Sequence, residues 1–73
     1  MTEIEAADIW AVNVTTIRRD ANAATEAVYE TWLNTRMEIV ERDARMSAVW
    51  ARMNAAIDAE KRLYYANRAL AAA

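Results

Sequence analysis

Few side chains in this sequence could do chemistry, and their spacing limits what that chemistry could be. Glu26 with Glu30, and Glu38 with Glu41, stand four and three residues apart, which puts two carboxylates on one helical face where a divalent cation could sit. Di-iron bundles complete such sites with Glu-x-x-His elements, and this chain has no histidine. The pairs read as solvated faces, so no metal ligand is assigned. Lys61 lies beside Glu60, Tyr64 and Tyr65, and its spacing to Tyr65 suits a cation–π contact. Ser47 has no histidine to activate it, and cysteine is absent. Without His or Cys the chain lacks the commonest general base and the best side-chain nucleophile. The residues therefore argue against an enzyme: catalytic residues none, cofactors none.

The arginines carry a different possibility. Arg45 and Arg52 project together one heptad apart, with Arg42 one turn before Arg45, so a basic strip could track phosphates. Glu38, Glu41 and Asp43 interleave with them and the formal net charge is −2, which disfavours direct nucleic-acid binding. Three tryptophans and three tyrosines occur without any phenylalanine. Trp and Tyr pair an apolar body with a polar tip, which suits contacts buried at one end and wet at the other. Trp32 and Trp50, eighteen residues apart, would project from one side of a continuous helix. Met46 and Met53 around Trp50 suit either an adaptable surface or core packing in an oligomer, and packing is the simpler reading.

The elements that position these residues follow from further absences. At ordinary usage of Gly and Pro, a chain of 73 residues lacking both has a probability on the order of one in ten thousand. An all-α fold follows. Thr2 and Glu5 have capping-box spacing, so a helix starts at residue 3. Its apolar face runs Trp10, Val14, Ile17, Ala21, Ala24 and Val28, at steps of three and four. The β-branched run Val12 to Ile17 is the one place where a short strand competes with the helix.

Asp20 to Thr25 interrupts the strong helical signals. Arg18 and Arg19 suit a helix C-terminus, Asn22 is the best available substitute for glycine in a left-handed turn, and Thr25 could cap the next helix. The expected architecture is a short helix over about 3–19, a turn near 20–25 and a long helix over about 26–71, within a single domain. Asn34-Thr35 is a second candidate break. The alternative is one continuous helix, roughly 110 Å long.

Within the long helix, Ala44 to Trp50 is followed by Ala51 to Ile57 in the same heptad phase. Extending that phase places Trp32, Ile39, Met46 and Met53 at one seam position, and Val49, Ala56, Leu63 and Leu70 at the other. Trp50, Ile57 and Tyr64 widen the stripe. With Trp10, Ile17 and Val28 from the first segment, these residues other than Ala56 and Leu70 form the expected interface of twelve positions. Thr35, Arg42, Glu60 and Asn67 also fall on seam positions, which disfavours an extended two-stranded coil because buried polar groups cost unless paired. Glu38/Arg42, Glu41/Arg45 and Asp58/Arg62 are acid-before-base pairs four apart.

A short first segment cannot cover a long stripe, and so small a core needs a supplement. Disulfides and zinc are excluded by the missing Cys and His. Self-association or docking onto a larger assembly remains. Charge separates along the chain: residues 1–30 hold six acids and two arginines, a balance of −4, while residues 31–73 hold five acids and seven bases, a balance of +2. That order favours antiparallel or head-to-tail contact between copies.

The longest uncharged stretch, Ile9 to Ile17, is about half of what a membrane span needs, and the acidic start does not resemble a signal peptide. The expected location is the cytoplasm, or a virion or particle assembled there. The leading functional reading is a non-enzymatic structural or assembly protein whose partners are copies of itself or proteins of a larger complex. Its alanine-rich, arginine-over-lysine composition fits a phage or bacterial particle component. Alternatives are a designed or selected helical bundle without biological activity, and a small nucleic-acid-associated helical protein.

Overall fold

A computed structural model describes residues 1–73. The chain folds as two helices, α1 (Glu3–Asn34) and α2 (Ile39–Ala72), packed along each other as an antiparallel hairpin. No strand forms. The β-branched run is helical, with Val14 buried and the Thr16 hydroxyl donating to the Val12 carbonyl at 3.0 Å.

The start of α1 follows the local code. Thr2 is in an extended conformation, its hydroxyl accepts from the Glu5 amide at 3.1 Å, and the Glu5 carboxylate accepts from the Thr2 amide at 3.3 Å. Two otherwise unpaired donors of the first turn are thereby satisfied.

The turn lies at residues 35–38 and not at 20–25, which corrects the expected boundaries and excludes the single rod. Asp20 to Thr25 stays helical because it sits inside an apolar stripe that continues unbroken from Val14 through Ala21 to Val28 and Trp32. A break there would have split one continuous buried face in two. The Thr25 hydroxyl donates to the Asn22 carbonyl at 2.8 Å, so it caps nothing. At the true end of α1, Thr31 and Thr35 turn their hydroxyls onto the carbonyls of Ala27 and Thr31, at 2.9 and 2.7 Å. Such back-bonding competes with the helix. The chain then reverses with Thr35 and Glu38 in extended conformations and without a single positive φ. The reversal uses backbone regions open to any residue, so the missing glycine is no obstacle.

Moving the turn to the chain's midpoint makes the helices nearly equal, at 32 and 34 residues. The premise that the first segment is too short to cover the second therefore falls. Each helix covers the other along its length and leaves both flanks open. Only Ala6, Val14, Ala21 and Asn67 are buried, and no large side chain is fully enclosed.

The charge asymmetry also takes a new meaning. Helix α1 carries six acids and two arginines, and α2 carries four acids and six bases, so −4 and +2 lie side by side within one hairpin. The antiparallel contact foreseen between copies is made inside the chain.

Candidate interaction surface

Three zones run along the hairpin. At the open end, the Trp10 and Tyr64 rings meet with centroids 5.5 Å apart, and Tyr64 also neighbours Tyr65 at 5.7 Å. One turn further in, the Asn13 amide donates to the Glu60 carboxylate at 3.0 Å. At the turn end, the Arg42 guanidinium lies 4.3 Å from the Trp32 ring centre and 5.9 Å from that of Tyr29, while bonding Asp43 at 3.0 Å. The pairing of 10 with 64, 13 with 60 and 32 with 42 establishes one register throughout.

Three of the polar seam residues thus find places in the helix pair. Glu60 takes the Asn13 amide, Arg42 lies over aromatic rings, and Asn67 is buried, while Thr35 sits exposed in the turn. No buried side-chain nitrogen or oxygen lacks a hydrogen-bond partner. For Glu60 and Arg42, pairing lowers the cost that disfavours a two-stranded arrangement.

The middle zone is built of small residues. Ala21 and Ala24 of α1 face Ala56 of α2, with Ile17, Val49 and Met53 around them and Asp20 and Arg52 on the two rims. They line an open groove of about 340 Å³. Asp20 and Arg52 are both exposed, and neither joins an ion pair.

Of the twelve expected interface positions, Trp10, Ile17, Val28 and Trp32 are half-buried on α1, and Met46, Val49, Met53, Ile57 and Tyr64 are half-buried on α2. Ile39, Trp50 and Leu63 are exposed, at 57%, 41% and 46%. Trp32 and Trp50 lie on different helices and do not share one helical side. Trp50 and the groove-lining Arg52 point about 200° apart round α2, which puts Trp50 on the opposite flank of the hairpin.

A strict heptad on a straight helix drifts about 20° per repeat, and α2 shows the drift residue by residue. The series Ile39, Met46, Met53, Glu60, Asn67 begins exposed on one flank and ends buried. The series Val49, Ala56, Leu63, Leu70 begins half-buried and walks outward, reaching 69% exposure at Leu70. Tyr64 therefore occupies the seam that the heptad phase had assigned to Leu63.

Arg45 pairs with Glu41 at 2.7 Å, whereas Arg42 turns to Asp43 and the aromatic rings, so neither Glu38/Arg42 nor Asp58/Arg62 forms. Of the three arginines in the basic strip, Arg52 alone is without an acidic partner. Tyr65 receives no cation; the cation near this end is Arg68, 5.7 Å from the Tyr64 ring. No three acidic side chains converge as metal ligands would. Lys61 and Ser47 are exposed. No helix is long and apolar enough to cross a membrane.

Residue types alone did not single out Asn13, whose partner Glu60 is 47 residues away, or the groove position of Asp20, which has the chemistry of a turn. The signal that could have found the groove is the alignment of alanines on both stripes, at 21 and 24 and at 56. No known family model, curated protein or solved structure matches the chain.

Proposed function

We propose that the chain is a non-enzymatic structural protein that works by self-association, presenting the uncovered flanks of its hairpin to further copies of itself. The observation that supports this reading is the amount of surface left over. A compact monomer of 8.3 kDa exposes roughly 4,600 Å² by the general scaling of area with mass. The hairpin exposes 5482 Å². The excess, about 900 Å², is close to what one partner buries in an interface of standard size. Large apolar side chains stand in that exposed surface, Ile39, Trp50, Leu63 and Leu70 among them. Two helices also have too little mutual area to enclose a large side chain, which leaves association as the source of further burial.

Native mass measured together with far-ultraviolet circular dichroism over a dilution series tests this. Masses at integral multiples of the chain, with helix content falling as the protein is diluted to monomer, are expected. A monomer at every concentration with undiminished helix content would overturn it.

A further inference from the structure

We propose that the partner is a second copy packed face to face on the groove flank, with the two-fold axis parallel to the helices, so that α1 of each copy lies on α2 of the other and Asp20 meets Arg52 across the interface. This rests on the self-association reading above and adds which face is used and how the copies are oriented.

The groove flank is selected by its open apolar groove and by the two unpaired charges of opposite sign at its rims. Between the open end and the turn it presents Ile17, Ala24, Met53 and Ala56, bordered by Asp20 on α1 and Arg52 on α2, an acid and a base that have no ion-pair partner within the hairpin, while Arg45 nearer the turn is already paired with Glu41. The Trp50 flank places Arg18, Asp43 and Lys61 beside its apolar residues, by the 100° step of the helix. Small side chains let backbones approach, and Met53 has the flexibility to fill what space remains. The hairpin's extents of 56 and 15 Å give a face of about 800 Å², enough for a stable dimer interface.

Charge selects the orientation. Two hairpins packed face to face can be related by a two-fold axis parallel or perpendicular to the helices, and either choice makes every neighbouring pair of helices antiparallel. The perpendicular axis stacks α1 on α1 and α2 on α2, placing −4 on −4 and +2 on +2. It also brings Asp20 towards Asp20 and Arg52 towards Arg52, because both rims lie near the hairpin's midpoint. The parallel axis preserves height along the bundle. Each acidic helix then lies on a basic one, and the two unpaired rim charges meet twice per dimer. The result is a four-helix bundle with up-down-up-down neighbours.

Charge reversal tests the orientation without touching the hairpin's own contacts, since both rim residues are exposed. Asp20→Arg and Arg52→Asp are each expected to raise the dimer dissociation constant about tenfold in sedimentation equilibrium, two like-charge contacts replacing two attractive ones. The double variant D20R/R52D is expected to return to within about twofold of the parent, because the pair is restored in reverse. Circular dichroism of each variant at high chain concentration checks that the helices persist. A parent that dimerises while both single variants dimerise equally well overturns the proposed face and axis and leaves self-association standing. A double variant as weak as the singles overturns the Asp20–Arg52 pairing. A parent that is monomeric throughout removes both readings together.

Discussion

The two ends of the hairpin and its middle are held by different kinds of contact. At the ends, large or directional groups meet: Trp10 against Tyr64 with Asn13 bonded to Glu60, and Arg42 over Trp32 and Tyr29. In the middle, alanines face one another beside Val49 and Met53, and an open groove remains. Aromatic stacking and a charge-assisted hydrogen bond have preferred geometries, so they hold register. Alanines tolerate many alignments and hold little. The hairpin is thus located at its ends, and its middle is left as an open groove.

The sharpest way to break this contrast is Trp10→Ala. It removes a half-buried ring and its contact with Tyr64, and is expected to lower the unfolding free energy by about 3 kcal/mol in urea denaturation at one fixed chain concentration. A loss below about 1 kcal/mol would mean that the open end does not anchor the pair. Trp32→Ala should cost about 2 kcal/mol at the turn end, combining lost burial with loss of the platform under Arg42. If Arg42→Met alone costs as much, the cation holds the turn end more than the burial of the ring does.

Next in size is Asn13→Ala, which leaves Glu60 half-buried without its cross-helix partner and is expected to cost about 1 kcal/mol. Amide hydrogen exchange should quicken at the open end and stay unchanged near the turn; uniform quickening would show that the contact does not act locally. The smallest effect contrasts the two helix starts. Thr2 caps α1, but Glu38 at the start of α2 makes no side-chain cap. Glu38→Ser supplies a capping hydroxyl and should stabilise the fold by about 0.5–1 kcal/mol, read as a rise in melting temperature. An unchanged or lower melting temperature would show that the first turn of α2 does not limit stability.

Much of the helical character was readable from residues alone, and specific errors show where reading stops. The capping box was legible because its two partners are three residues apart. The apolar stripe of α1 was legible because periodicity is local. The turn was misplaced because Asn22 and Thr25 have turn chemistry that the intact stripe overrides, whereas Asn34-Thr35, ranked second, lies where two equal helices can cover each other. The Leu63 assignment failed for another reason. A heptad extended on paper keeps its face, but a straight helix does not, so Tyr64 takes the seam. Within the candidate surface, the alanines and Arg52 were visible singly. That Asp20 stands on the opposite rim depends on how the chain folds back.

By itself the sequence determined that the chain is helical, where the first helix begins, which residues are apolar and that acidic residues precede basic ones. These depend on contacts within a few residues and on composition. Only the tertiary structure decided where the chain reverses, that acidic and basic helices lie side by side, that Glu60 and Arg42 find partners on α1, and that the alanines of two helices open onto one groove. Each is a choice among pairings that local propensity leaves nearly equal in energy, and burial along the full length of two matched helices selects one of them.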